Sequence, residues 1–269
     1  MITSISNGQI KKIQQLLKKS RTRREEGLFA AEGIKRFREA PADRIEKIYM
    51  GASFAEKGTW KEILREKGLE GKAKDLTEIV EDKVFKSLSD TVTPQGVLCL
   101  VRIKDWSLEE MIPENKEPLL MVLEDLQDPG NLGTILRTGE GAGVTGIILS
   151  KNSVDIYNPK VIRSTMGSVY RMPFYYTSSI QEEILPWMKE KKITGYAAHL
   201  EGKNNYDQED YTKAAAFFIG NEGNGLSREL SEKTDVWIRI PMEGKVESLN
   251  AAMASGILMY EAFRQRRNP

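Results

Sequence analysis

Apolar positions recur along this chain with two different periods. Residues 9–19 set Ile10, Ile13, Leu16 and Leu17 on one stripe, which predicts an amphipathic helix. GLFAAEG (27–33) then reads as a short strand and turn, and IKRFREA (34–40) as a helix start. IEKIYMG (45–51) predicts a strand, TWKEILREKG (59–68) a helix ending at Gly68, and VEDKVFKSLSD (80–90) another helix. TPQGVLCLVRI (93–103) gives a turn and a buried strand. Strands alternating with helices indicate a small α/β unit over 1–104.

Residues 105–118, DWSLEEMIPENKEP, carry five acids and two prolines with little apolar period, so a linker is expected there. A second α/β pattern occupies 119–269. LLMVLED, GIILS, RMPFYY, ITGYAAH, AAAFFIG and DVWIRIP read as strands. NLGTILRTGEGAG, PKVIRSTMGS, IQEEILPWMKEKK and LSREL read as helices, the third bent or split at Pro186. The last segment, 248–267, sets Leu249, Ala252, Met253, Gly256, Ile257, Tyr260 and Phe263 on one helical face. The pattern shows no internal repeat.

A length of 269 residues fits two domains, and 40% hydrophobic with 29% charged residues fits an ordinary globular protein. No stretch approaches the ~20 apolar residues of a membrane span, and the polar opening has no signal-peptide core, so the cytoplasm is the expected compartment. A single cysteine, Cys99 in GVLCLV, excludes an internal disulfide and a cysteine metal cluster; it reads as a buried structural thiol. Net charge is only +1, but residues 1–38 hold ten Lys/Arg against three Asp/Glu. Lys11, Lys12, Lys18, Lys19, Arg21, Arg23, Arg24 and Arg36 are therefore candidates for contact with a phosphate backbone, the plainer alternative being a solvated helix face.

Gly141-Ala-Gly143-Val-Thr-Gly146 fits G-x-G-x-x-G, but it follows a helix and precedes a strand, the reverse of a dinucleotide fingerprint. Gly141 or Gly143 reads instead as the helix C-cap. His199 is the only histidine and reads as a strand-end polar residue, which leaves triad and metalloenzyme chemistry nothing to use.

Three segments stand out. Asp125–Arg137 runs from a strand end through Pro-Gly into a helix that Asn131 could cap, with Arg137 on a mostly small and apolar stretch. Phe218-Ile-Gly220-Asn-Glu222-Gly223-Asn-Gly-Leu226 delivers glycines and an acid from a buried strand into a loop, where backbone can approach a ligand closely. Ile240-Pro-Met242-Glu-Gly-Lys-Val-Glu-Ser248-Leu249-Asn250 joins a strand to the last helix, with Ser248 a natural N-cap.

Taken together in this order, N-L-G-x-I-L-R-T, I-G-N-E-G-x-G and I-P-M-x-G-x-V-x-S-L-N-x-A resemble the three motifs of the SpoU/TrmH family of RNA ribose 2′-O-methyltransferases, in the SPOUT superfamily. The upstream GLFAAEGIKRFREA and TPQG resemble more weakly the RNA substrate-binding domain that precedes many such enzymes. The resemblance implies a SPOUT α/β domain with a deep trefoil knot, S-adenosylmethionine as methyl donor, no metal, and a homodimer joined through the last helix. It implies cofactor contacts at Gly220, Glu222, Gly223, Ile240, Met242 and Leu249, and catalytic or substrate contacts at Asn131, Arg137, Ser248 and Asn250. Ribosomal RNA is the expected substrate. Transfer RNA, or a non-catalytic RNA-binding or assembly role on the same fold, remain the alternatives.

Overall fold

The structure is a computed structural model of the chain, and it describes residues 1–89, 91, 93–244 and 248–267. The chain divides into two compact units, Met1–Asp105 with Asp155–Tyr170, and Trp106–Val154 with Arg171–Pro269. No helix among the described residues is long and apolar enough to cross a membrane.

The first unit holds a four-stranded sheet of β1 (Leu28–Glu32), β2 (Ile45–Gly51), β3 (Thr77–Val80) and β4 (Val97–Arg102). The order is β1-β4-β2-β3, with β4 antiparallel to β1 and β2, and β2 parallel to β3. Helix Gly8–Lys18, capped by the Asn7 side chain, buries Ile10, Ile13 and Leu16 in a cluster with Leu28, Leu98 and Leu100, as the stripe predicts. Cys99 is buried on β4. β3 was not anticipated, because its TEIV carries only a short apolar run, and the helix expected over 80–90 is confined to Asp82–Lys86.

Segment Asp155–Tyr170, expected within the second domain, clusters with the first unit. The reason is local: Tyr157 stacks on Phe29 at 4.4 Å between ring centroids, and Asp155 pairs with Arg23. Arg23, a sequence candidate for RNA contact, is in fact 3% exposed. Its Nε and Nη2 donate to Asp155 Oδ2 at 2.9 and 2.6 Å, and Nη1 donates to the Leu16 carbonyl. A guanidinium enclosed this way has no open face for a phosphate.

The second unit holds seven strands, β5 (Leu119–Leu123), β6 (Gly146–Ser150), β7 (Phe174–Thr177), β8 (Thr194–Ala198), β9 (Asn204–Asn205), β10 (Ala215–Ile219) and β11 (Val236–Arg239). They run in the order β7-β6-β5-β10-β8-β11-β9, every pairing parallel. Parallel strands are covered on both faces, which explains why LLMVL and AAFFI are buried at every position. Pro186 stands where a π-helical turn, Ile180–Ile184, passes into helix Leu185–Glu190, so the expected split occurs. Gly143 (φ 77°) is the C-cap of helix Pro129–Ala142.

The stretch expected as a linker is built into this unit. Glu109–Met111 forms a 3-10 turn, Met111 is fully buried, and Leu108 and Ile112 pack against the same core. Leu108, Met111 and Ile112 are spaced i, i+3, i+4, an apolar face that the surrounding acids and prolines conceal.

Helix Ala251–Arg267 lies along helix Pro129–Ala142. Gly139 faces Met259, Thr138 faces Gly256 and Gly141 faces the Tyr260 hydroxyl, so the two helices run in the same direction. The glycines permit this approach.

Candidate active site

All seven strands of the parallel sheet end at one edge, and β10 enters between β5 and β8 although it follows β8 in sequence. In open α/β sheets such a switch of strand order opens a crevice at the carboxyl ends. The loops leaving β5, β8, β10 and β11 meet there.

Leaving β5, Asp128 caps helix Pro129–Ala142 by accepting from Asn131 N at 2.8 Å, with Pro129 in the first turn, where its missing N–H costs nothing. Asn131 is therefore not the cap. It points inward, 9% exposed. Asn250 caps the last helix, its Oδ1 accepting from Ala252 N and Met253 N at 2.9 and 3.2 Å, a role expected of Ser248. The helix begins at Ala251, so Ser248 falls too far upstream to reach its free N–H groups.

Three sequence segments then join through side chains. Asn250 Nδ2 donates to Asn131 Oδ1 at 2.9 Å, and Asn131 Nδ2 donates to Glu222 Oε1 at 3.0 Å. Glu222 also accepts from Gln127 N (3.0 Å) and Asp128 N (2.8 Å). Burial alone would raise the Glu222 pKa; the hydrogen bonds from Gln127, Asn131 and Asp128 outweigh it and hold the carboxyl below its ordinary range. Each asparagine has two N–H donors and places one within this chain.

The loop after β10 doubles back on itself. Asn221 and Gly225 exchange backbone hydrogen bonds, and Asn221 Oδ1 accepts from Gly223 N and Asn224 N. A Cβ on Gly220 would overlap the backbone of Gly225 and Leu226, so only glycine fits there. Glu124 fastens the far side of the loop, accepting from Ser227 N and Oγ at 2.7 Å each.

Under this loop lies a hollow of about 350 Å³, within the range of small-molecule sites. Gly220, Glu222, Gly223, Ile240, Met242 and Leu249 all line it, as does Ser248. Sequence reasoning missed Ala198, His199, Ile238, Arg239 and Ala254 on its wall. His199 follows the carboxyl end of β8, packs at a tilt against Trp237 with ring centroids 4.5 Å apart and accepts from Glu201 N through Nδ1. Only the strand order, which places β8 beside β10, could have revealed it. Asn131 and Asn250 adjoin the hollow through the hydrogen-bonded chain. Arg137 does not line it: it sits six residues beyond Asn131, exposed, with no ion-pair partner among the described residues. Lys245, Val246 and Glu247, inside the third motif, lie outside the described residues. No cluster of metal-ligating side chains occurs among the described residues.

In the first unit, Lys11, Lys18, Lys19 and Arg24 are exposed. Lys12 pairs with Glu26 at 2.5 Å and Arg21 with Glu25 at 2.7 Å, both at the surface.

A parallel α/β sheet with a glycine-walled hollow at its carboxyl edge, bordered by fixed amide groups, has the form of a small-molecule site at a strand-order switch. Comparison with known proteins gives the family. The model of the SpoU rRNA methylase family matches residues 118–260, and that of the MRM3-like substrate binding domain matches residues 7–99. The chain is 31% identical over 185 residues, 68% of its length and 70% of the relative's, to the 23S rRNA (guanosine(2553)-2′-O)-methyltransferase RlmP of Bacillus subtilis. It is 37% identical over 192 residues, 70% of its length and 67% of the relative's, to an uncharacterized tRNA/rRNA methyltransferase of Synechocystis. An AdoMet-bound rRNA methyltransferase from Sinorhizobium meliloti superposes with a TM-score of 0.83 at 30% identity, covering 98% of this chain and 97% of that one. The chain belongs to the SpoU/TrmH family: it is an RNA ribose 2′-O-methyltransferase that uses S-adenosylmethionine.

Proposed function

We propose that the protein methylates a ribose 2′-hydroxyl of ribosomal RNA in the cytoplasm, holding the RNA with residues 1–104 and performing the transfer at the hollow beneath Gly220. The observation that carries this reading is the hollow itself, bordered by the Asn250–Asn131–Glu222 chain. Its size and its Ile219, Ile238, Ile240 and Leu249 walls suit an adenosine, and Gly220 leaves backbone groups for its polar edges. When bound, S-adenosylmethionine supplies a methyl group on a sulfonium.

Gly220, Glu222, Gly223, Ile240, Met242 and Leu249 hold that cofactor. Asn131 and Asn250 each retain one N–H beyond those in the chain, and with the Ser248 hydroxyl they orient the ribose. A 2′-hydroxyl is a weak nucleophile, so charge developing on its oxygen must be stabilised. Arg137 does this, clamping the adjoining phosphate at the same time. A guanidinium stays protonated at neutral pH and so does not act as the base. The proton passes to water or to a phosphate oxygen of the RNA.

The C-terminal chain threads the trefoil knot of the family, supported by the closed 220–226 loop and by the return of helix Ala251–Arg267 onto helix Pro129–Ala142. Two protomers associate through the last helix, where Met253 and Tyr260 are 61% and 50% exposed with Ile257 between them. Burying such residues is the usual use of an exposed apolar stripe.

Transfer of labelled methyl from S-adenosylmethionine, followed by mapping of 2′-O-methyl positions in ribosomal and transfer RNA, tests the reading. Label on one ribosomal nucleotide is expected. Label on transfer RNA alone overturns the substrate, and cofactor binding without transfer to any RNA overturns the catalytic reading.

A further inference from the structure

Side chains fasten the two ends of helix Ala251–Arg267 at opposite edges of the parallel sheet. At the carboxyl edge Asn250, which caps the helix, donates through Nδ2 to Asn131 Oδ1 at 2.9 Å. At the amino edge Arg266 spreads its guanidinium over four backbone carbonyls. Nε donates to that of Tyr211 at 2.8 Å, Nη1 to Glu117 at 2.8 Å, and Nη2 to Pro118 at 3.0 Å and Lys213 at 2.6 Å. The neighbouring Gln265 donates to the Glu209 carbonyl at 2.9 Å and accepts from Tyr211 N at 2.8 Å. Arg266 is half-buried and has no ion pair among the described residues, so carbonyl oxygens alone answer its charge there.

Those carbonyls belong to the starts of two particular strands. Glu117 and Pro118 precede β5, Tyr211 and Lys213 precede β10, and the two strands pair in parallel. The helix entered from β5 carries Asn131, and the loop leaving β10 carries Glu222. Strands and helix thus close a frame, joined by Arg266 and Gln265 at one end and by Asn250 and Asn131 at the other. The helix has 17 residues, about 25 Å, and a rod of that kind passes on an axial shift without absorbing it. Between its ends it meets helix Pro129–Ala142 through glycines: Gly139 faces Met259, Gly256 faces Thr138 and Gly141 faces the Tyr260 hydroxyl. Glycines raise no ridge to lodge in a facing groove, so this contact resists sliding less than interlocked side chains would.

We propose that Arg266 is a positioning residue for methyl transfer: anchored to the starts of β5 and β10, it sets the axial position of the last helix and so holds the Asn250 amide against Asn131. The inference rests on the reading of Asn250 as a group that orients the ribose. A guanidinium suits the task. Its five N–H donors lie in a rigid plane and serve four carbonyls at once, which the donors of a lysine ammonium, gathered on one atom, cannot do. The contact at the far end has little slack. At 2.9 Å it leaves the ordinary N–H···O range, which ends near ~3.2 Å, after a shift of a few tenths of an ångström.

The experiment follows methyl transfer to ribosomal and transfer RNA, and the side-chain amide resonances of the full chain, at a temperature where every variant is folded. The Asn250 amide is assigned by its absence from Asn250→Asp, which keeps the capping oxygen and removes the donor. Arg266→Gln should lower the melting temperature, reduce kcat by about 10–10²-fold and move the Asn250 resonance towards that of a free amide. Arg266→Lys, with the charge and without the fork, should restore little of either. Arg266→Gln combined with Asn250→Asp should be no slower than Asn250→Asp alone, because both act through one contact. A double variant as slow as the product of the two single effects overturns the positioning role. So does an Asn250 resonance unmoved in Arg266→Gln, or full recovery with lysine. If Arg266→Gln does not fold, Gln265→Ala removes the neighbouring ties and should shift the same resonance in the same direction; an unmoved resonance again overturns the role. Wild-type turnover in Asn250→Asp overturns the reading of Asn250 instead, and the resonance then still decides whether Arg266 holds that contact.

Discussion

In the second unit seven parallel strands direct their loops to one edge, and the polar side chains at that edge are hydrogen-bonded to one another around a hollow. In the first unit β4 runs against its neighbours, so that edge is shared by the exits of β1, β2 and β3 and the entry of β4. The polar groups there are divided between packing and solvent. Two arginines show the contrast. Arg23 is enclosed and fixed by Asp155 and two backbone carbonyls, whereas Arg137 stands exposed with no partner among the described residues. The same side chain is held by protein partners in one unit and left without them, among the described residues, in the other. What differs is whether an acid and free carbonyls lie within reach.

The largest effect that tests this contrast is on Arg23. Removing one partner of a buried ion pair costs about 3–5 kcal/mol, since the other charge is left without compensation. Asp155 is partly exposed, which places Arg23→Ala towards the lower end, about 3 kcal/mol. Thermal unfolding should show a marked fall in midpoint, and S-adenosylmethionine affinity of the still-folded protein should be unaltered. An unchanged midpoint would break the comparison.

Arg137→Ala should do the opposite. Stability stays near wild type, and methyl transfer falls by about 10²–10³-fold, the usual cost of losing one group that stabilises a developing oxyanion. Cofactor affinity from calorimetry should remain close to wild type. Leu249→Asp is the matching control: it puts a carboxylate on the wall of the hollow and should weaken cofactor binding first. Equal loss of turnover and cofactor affinity in Arg137→Ala would remove Arg137 from the role given to it.

The smallest expected effect concerns pH. Glu222 has a depressed pKa in the folded protein, so its contribution to loop order is complete above the ordinary glutamate value of about 4.3 and is lost as pH falls through the lower, folded value. Cofactor affinity should therefore hold from pH 7 to about 4.5 and then decline. Glu222→Gln should bind more weakly throughout, by about 1–3 kcal/mol for the lost charged hydrogen bonds, with a flatter acid limb. An acid limb identical in both proteins would show that Glu222 does not tie the loops together.

Much of the site was legible in the sequence because its residues come in short, ordered motifs. Gly220, Glu222, Ile240 and Leu249 could be placed by motif alone, and the structure brings them to one hollow. His199 and Arg239 could not, since each lies at a strand end whose neighbours are set by strand order. The caps were misassigned by a few residues: Asp128 and Asn250 take the positions expected of Asn131 and Ser248. All four residues can cap a helix, and the choice depends on where the first turn starts, which packing decides.

The order of hydrophobic periods therefore determined the two α/β units and most of their elements, because burial of one face is written into local spacing. It also fixed the glycines, since Gly220 faces a steric limit that no other residue meets. Tertiary structure decided that Asp155–Tyr170 joins the first unit, that Arg23 is internal, and that Asn131 and Asn250 bond to each other across 119 positions. Those outcomes depend on which partners arrive at a given place, and a pairing between distant segments leaves no mark on the spacing within either one.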